Sequence, residues 1–400
     1  MRTDVERVLI AGAGPVGLVA AAYLVRQGVP VTVIESGADL SAESRASTFH
    51  PPTLDMLDRI DAAKPLIAQG LTAPTLQYRS KRDGIIAQFD FGDIADLTGH
   101  PYRLQAEQSK LTRILLEQLE GNPNFSIAFD TALEDVEQND DLVRVKVRRG
   151  QSTETLSAKW LIGADGARSA TRRALDIEFN GFTWPERFLV VSTPFDYDSV
   201  LPGLAPVSYV ADPVCWHFLL RVGKVWRVMF PIRAEIGDEE AVTREFAQKM
   251  LANVVAGIDN YEISHITLYR VHQRVAETFR KGRAFLIGDA AHINNPLGGM
   301  GMNGGIHDAV NLTERLAAVW QGTAKDSELD IYDLQRRQVT LEYVQNQSIQ
   351  NKRDLEAADE TAQNEFRDRL RKVQSDLESR RAYLQRISML ASLKRASELA

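Results

Sequence analysis

Cysteine is almost missing from this chain. Cys215 stands alone among 400 residues, so no disulfide can form within it. That scarcity fits a reducing compartment and leads us to expect a cytoplasmic protein. Basic excess is missing too: 47 Lys and Arg face 54 Asp and Glu, a formal charge of −7, and no basic patch stands out. A nucleic-acid partner is therefore not expected. The histidines, His50, His100, His217, His265, His272, His292 and His307, lack the His/Cys spacing of a metal site. There is no Gly-x-Ser-x-Gly elbow and no signal-peptide layout at the start. One uncharged run, Val8 to Val25, approaches the length of a membrane span. Gly12, Gly14, Pro15 and Gly17 interrupt it, so a strand, a turn and a helix account for it better, and no membrane association is expected.

What is present is ordinary globular material, 44% hydrophobic and 25% charged. At about 150 residues per domain the chain suggests two to three domains. Val5 to Ala11 reads as a buried parallel strand, Val16 to Arg26 as an apolar helix stopped by Gly28, and Val31 to Glu35 as the next strand. Helical spacing marks 50–70 and 106–120. Strands fill 125–163, ending on Trp160, Leu161 and Ile162. The stretch 177–275 alternates and holds Trp184, Trp216 and Trp226, which predicts an antiparallel sheet. Arg283 to Ile287 returns to a parallel-type strand, followed by a helix from about Met302 to Trp320. From about Leu329 the chain is helical and highly charged. Those helices read either as an amphipathic layer on the first domain or as an oligomer contact.

Gly12-Ala13-Gly14-Pro15-Val16-Gly17 matches G-x-G-x-x-G between a strand and a helix. Gly12 permits the tight turn, Gly14 lets the backbone approach a pyrophosphate, and Gly17 lets helix and strand pack closely. The helix start offers free N–H groups and a positive dipole end. Glu35 ends the second strand, 18 residues past Gly17, where a carboxylate can accept from ribose hydroxyls and disfavours a 2′-phosphate. The fingerprint points to a dinucleotide without separating FAD from NAD.

Two later segments separate them. One is Gly163-Ala164-Asp165-Gly166-Ala167-Arg168-Ser169. The other is Gly288-Asp289-Ala290-Ala291-His292, continuing through Pro296-Leu297-Gly298-Gly299-Met300-Gly301-Met302-Asn303 to Asp308-Ala309-Val310-Asn311-Leu312. With the fingerprint, these resemble the group A flavoprotein monooxygenases, the family of p-hydroxybenzoate hydroxylase, over residues 8 to 312. The resemblance implies that Asp289 holds the ribityl chain of FAD and that Gly299, Met300, Gly301, Met302 and Asn303 present a helix start to the flavin. Where Met300 stands the family more often has glutamine, so a backbone contact survives and a side-chain contact does not. It also implies that Asp165 lies near the FAD pyrophosphate; the competing reading of Asp165 is an Asx turn. Arg45 matches an arginine near the FAD phosphates, against a solvated surface arginine. Gln108 matches a cofactor-contacting glutamine, with Gln105 as its competitor.

By the same resemblance NADH or NADPH reduces the flavin, O2 adds at its C4a carbon, and the hydroperoxide passes oxygen to an electron-rich ring. No second G-x-G-x-x-G appears, which suits a transient nicotinamide donor. For the substrate pocket the aromatic sheet supplies Trp216, His217, Phe218, Arg221, Trp226 and Met229. His217 and Arg221 share a strand face and could hold a phenolate or carboxylate, or they are a core histidine and a surface arginine. His292 reads as either a flavin neighbour or a structural histidine. Pro296 matches a family position whose carbonyl accepts a phenolic proton. We thus expect an α/β fold: a Rossmann-like FAD domain (1–176 and 276–325), an inserted antiparallel-sheet substrate domain (177–275), and a C-terminal helical region (326–400). The expected protein is a monomer or homodimer that hydroxylates a small aromatic compound. The competitors are a polyprenyl-type reductase or halogenase on the same scaffold, or a non-enzymatic binder.

Overall fold

The short apolar runs Val8–Ala11, Val31–Ile34 and Trp160–Gly163 lack the polar alternation that a solvated face would require, and every residue in them is buried. They pair in parallel, with Val8 opposite both Val31 and Trp160. Phe125–Ala128 flanks this trio on one side; Ala284–Leu286 and then Arg280–Lys281 flank it on the other, completing a six-stranded sheet. The structure is a computed structural model and describes residues 5–42, 46–212, 215–356 and 360–399.

The helix Pro15–Arg26 starts on a proline, whose missing N–H costs nothing at that position, and is followed by Gly28 at φ 76°. The helix Met300–Trp320 packs on it. Gly305 makes that approach possible, because a Cβ there would stand 2.7 Å from Val16 Cγ2 and 2.8 Å from Gly288 Cα. Among the described residues no helix is long and apolar enough to cross a membrane.

The second large sheet has eight strands and is mainly antiparallel. Its centre, Phe179–Thr193, pairs with His265–Ala276 on one side and Val225–Ile232 on the other, followed by His217–Val222 and Val207–Val210. The expected span 177–275 does not supply the whole sheet. Thr75–Ser80 joins in parallel beside Val207–Val210 and brings Gly84–Asp90 with it. The span also contains the helix Arg244–Ala252, which covers the sheet's outer face. Both faces of the central strands are therefore buried. Phe188, Val190, Phe218, Leu220 and Met229 belong to one apolar core, and Leu189, Val191, Leu219, Val228 and Phe230 to the other.

The C-terminal helices divide their attention. Glu328–Val339 packs on the first unit, where the Tyr332 hydroxyl donates to the Leu286 carbonyl at 2.6 Å. Farther on, the expectation of packing on the first domain is corrected. Phe366, Leu370, Leu384 and Ile387 join the core of the second sheet with Leu76, Tyr78 and Phe89. The stripe Phe366/Leu370, one helical turn apart, finds its apolar cover there.

A buried polar cluster ties the long helix to the loop before it. Asp308 accepts from Arg336 Nε at 2.7 Å, from His292 Nε2 at 2.8 Å and from the Gly288 amide at 3.1 Å. Burial opposes its ionisation, yet the His292 and Arg336 charges prevail and hold it at about 2. A lowered carboxylate pKa stabilises the fold above the ordinary value of 3.8, and that contribution is lost as pH falls towards 2. Asp308→Ala strands a buried arginine and is expected to cost about 3–5 kcal/mol. Urea unfolding at neutral pH measures this; a loss below about 1 kcal/mol, typical of a surface change, would remove the cluster from the fold's supports.

Candidate active site

The three glycine-bearing segments converge on one cleft of about 1150 Å³, between the edge of the parallel sheet and the inner face of the second sheet. Small-molecule sites commonly enclose about 300–1,000 Å³, so this one has room for a large cofactor and a second small molecule. Its upper end is backbone. Gly12, Gly14, Pro15 and Val16 border it, with Glu35 opposite and Asp165 and Gln108 alongside. Glu35 is fixed in place: Oε2 accepts from the Ala13 amide at 2.8 Å and Oε1 from the Gly37 amide at 2.8 Å.

The glycines do different jobs. A Cβ on Gly17 would stand 2.1 Å from the Gly12 carbonyl, and one on Gly12 would stand 2.4 Å from the Ala164 carbonyl. Those two let three backbones meet, and Gly17 does not itself border the cleft. Gly14 has extended backbone that any residue adopts, and a Cβ there would meet no protein atom within 4 Å. Its Cβ would enter the cleft beside a helix N-terminus, the open cradle that a dinucleotide pyrophosphate fits.

Ile287 and Asp289 border the cleft while Gly288, at φ 60°, lies behind them against Val16. Asp289 is exposed between two buried neighbours, so its strand end presents a carboxylate to the crevice. Gly298 through Met302 border the lower cleft and open the Met300–Trp320 helix. The Met300 side chain packs with Val344 and Met389, which leaves the backbone at this turn for the cleft. Between the two candidate glutamines the geometry decides: Gln108 borders the cleft, whereas Gln105 is buried and accepts from Thr48 Oγ1 at 2.9 Å. Asp165 borders the cleft as well, but its carboxylate accepts from Ser169 Oγ, the Thr171 amide and Thr171 Oγ1, at 2.5, 2.9 and 3.0 Å. Those contacts are the turn reading of this residue. Arg45 lies outside the described residues.

Several expected residues are elsewhere. Asn303 is buried beneath the turn, donating to the Thr48 and Gly299 carbonyls at 2.8 and 2.6 Å, and does not border the cleft. His292 belongs to the Asp308 cluster, its ring stacked 5.8 Å from Phe279. His217, Arg221 and Trp226 lie on the wrong side of the sheet. His217 is enclosed against Phe230 with Nδ1 on the Cys215 carbonyl at 2.9 Å, and burial pushes its pKa down to about 4. Arg221 pairs with Asp198 at the surface and lies over Trp226. Trp216 is on the inner side, but packs edge-on to Phe188 without reaching the cleft.

Of the aromatic set, Phe218 and Met229 do border the cleft, as does Pro296. Beside them stand Phe188, Val190, Tyr209, Leu220 and Tyr269, with Arg103 among them. Strand alternation would have found Val190 from Phe188 and Leu220 from Phe218 once one member was known. Arg103 and Tyr209 carry no motif.

An open dinucleotide cradle joined to an apolar chamber is the arrangement that a flavin-dependent oxidoreductase requires. The chain belongs to the FAD binding domain family, whose model matches residues 5–347, and it is a group A flavoprotein monooxygenase. It is 36% identical to para-nitrophenol 4-monooxygenase of Pseudomonas sp. (strain WBC-3) over 342 residues, 84% of each chain. It is 34% identical to 6-hydroxy-3-succinoylpyridine 3-monooxygenase HspB of Pseudomonas putida (strain DSM 28022 / S16), covering 88% of this chain and 89% of that one. The crystal structure of p-nitrophenol 4-monooxygenase PnpA from Pseudomonas putida DLL-E4 superposes with a TM-score of 0.90 at 32% identity, over 98% of both chains. Aklavinone-11 hydroxylase, solved with FAD and aklavinone, superposes at 0.76 with 28% identity, over 88% of this chain and 69% of that one.

Two outcomes follow from this geometry. Gly14→Val should weaken FAD binding about tenfold or more by filling the cradle, while changing the stability of the FAD-free protein by no more than about 1 kcal/mol. Gly17→Val should do the reverse and destabilise the fold outright, because its Cβ meets backbone. Flavin titration and urea unfolding of both variants read the difference, and equal FAD affinity in Gly14→Val and wild type would contradict the cradle. His217→Phe should leave turnover and KM unaltered. The folded His217 stays neutral down to about 4, while the unfolded chain takes up a proton near 6.5, so wild type loses stability as pH falls between those values. The variant should lack that component, about 3 kcal/mol, in unfolding curves at pH 7 and pH 4. A fall in kcat with FAD fully bound would return His217 to the reaction.

Proposed function

We propose that this enzyme hydroxylates a small phenolic or heteroaromatic compound, with NADH or NADPH as electron donor and O2 as co-substrate. The observation that carries this reading is the continuity of the cleft: one space runs from the fingerprint loop to a chamber walled by Phe188, Val190, Phe218, Leu220 and Met229. A chamber walled by aromatic and aliphatic side chains suits an aromatic ring and disfavours water beside it. The relatives support the class, since their names give a nitrophenol and a hydroxypyridine as substrates. FAD, when bound, would supply the redox chemistry, namely hydride acceptance from the nicotinamide donor and activation of O2.

This chain's own residues bind and orient. Gly12, Gly14, Pro15 and Val16 receive the pyrophosphate at a helix N-terminus, with Asp165 also at the cleft wall, and Glu35 receives the adenosine ribose. Asp289 accepts from the ribityl hydroxyls and Gln108 contacts the cofactor's side. The backbone of Gly299, Met300, Gly301 and Met302 offers a helix start to the flavin ring, where its positive end favours the negative charge of the reduced state. The Pro296 carbonyl accepts a hydrogen bond from a ring hydroxyl where the substrate carries a protonated one. Met300, standing where the family more often has glutamine, contributes backbone only.

A panel of phenols, nitrophenols and hydroxypyridines tests the reading. At least one should accelerate NAD(P)H oxidation by the FAD-loaded enzyme with stoichiometric O2 uptake and a hydroxylated product. Faster NAD(P)H oxidation without O2 uptake would instead make it a reductase. No hydroxylated product across the panel would leave only FAD binding standing.

A further inference from the structure

The lower cleft contains a guanidinium that meets no carboxylate among the described residues. Arg103 sits on the short strand Arg103–Gln105 and is only 2% exposed. Nη2 donates to the Ile387 carbonyl at 3.2 Å, and the guanidinium lies 5.6 Å from the centre of the Phe91 ring. Nε is buried with no hydrogen-bond partner, and among the described residues no carboxylate pairs with it. The buried titratable groups beside it, Tyr78, Tyr383 and His50, are shifted towards their uncharged forms. Burial pushes the Tyr78 and Tyr383 phenols up, the two sharing a 2.8 Å hydrogen bond, and burial pushes His50 down.

Arg103 also lines two spaces. It borders the cleft, and it borders a small cavity of about 10 Å³ that shares Tyr209, Gly298 and Met300 with the cleft and is closed by Gln347 and Asn351. That volume is about the least that holds one water, so it admits one substituent atom and not a ring. A buried cation without a partner is costly, and proteins retain such charges where a ligand completes them. The guanidinium fork matches the oxygens of a carboxylate, nitro or phenolate group.

We infer that Arg103 is the anion-recognition residue of the substrate site, and that the substrate is an aromatic anion whose charged oxygen rests on this guanidinium with its ring in the apolar chamber. This deepens the hydroxylase reading and rests on it. Arg103 therefore selects the ionised form of its ligand over uncharged analogues of the same shape.

The test uses FAD-loaded enzyme without NAD(P)H, with binding read from the perturbed flavin spectrum. The probes are matched pairs: 4-nitrophenol at a pH where it is ionised against 4-nitroanisole, and benzoate against methyl benzoate. Wild type should prefer the anion in at least one pair. Arg103→Met should lose about 30-fold or more of that anion's affinity with the uncharged partner's affinity unchanged, a selectivity that a merely structural residue would not show. Arg103→Lys should fall between, and it carries the same comparison if Arg103→Met does not fold with FAD. Indifference of wild type to charge in both pairs, or a full anion preference in Arg103→Met, overturns the inference. Failure of the hydroxylase reading is seen separately, as the absence of hydroxylated product from wild type with probes that bind.

Discussion

The contact on which everything else rests is between two backbones. The Gly12 carbonyl lies where a side chain on Gly17 would begin, and the Ala164 carbonyl lies where one on Gly12 would begin. With those carbons missing, strand, turn and helix close to van der Waals distance, and the N-terminus of Pro15–Arg26 stands at the rim of the cleft. The same economy of volume recurs at Gly288 and Gly305, where Val16 touches both. Four glycines from two distant stretches of the chain thus set one spacing, and that spacing holds the fingerprint loop, the Asp289 strand end and the long helix around a common space.

The second constraint is the pleat of the large sheet. Successive side chains must alternate, so a strand that offers Phe218 and Leu220 to the cleft has to send His217 and Leu219 to the other core. The outer face is not left to water: Arg244–Ala252 and the Tyr197 region cover it. Helices from the C-terminal region cover the flank that Gly84–Asp90 would otherwise expose. Both faces are consequently apolar, and the one that carries Phe188, Phe218 and Met229 borders the cleft.

This explains which parts of the site could be read in advance. The fingerprint, Glu35 and Asp289 were legible because they encode backbone geometry: a turn, a close approach, a strand end. Such demands leave residue types at fixed spacings. The sheet pocket was not legible in the same way. Alternation divides 216–222 into two faces but does not say which one meets the cleft, and with both buried the polarity cue was lost. His217 and Arg221 are polar residues in an apolar strand, yet one is enclosed against Phe230 and the other pairs with Asp198. His292 and Asn303 sit within motif segments but serve them from behind, through Asp308 and the Thr48 carbonyl. The strands Thr75–Ser80 and Gly84–Asp90 cross from the first part of the chain to the second sheet, a long-range pairing that no local pattern announces.

Two buried arginines sharpen the distinction between scaffold and site. Arg336 and Arg103 are equally enclosed, at 1% and 2% exposure. Arg336 meets Asp308, which also gathers His292 and the Gly288 amide, so its charge is answered within the fold and fixes the loop that carries Asp289. Arg103 has a carbonyl, an aromatic ring and neutral phenols around it, and it opens onto the cleft. Desolvation weighs on both alike, and only the first recovers the loss from protein. A charge that the fold surrounds but does not neutralise marks the place where the fold ends and the ligand begins.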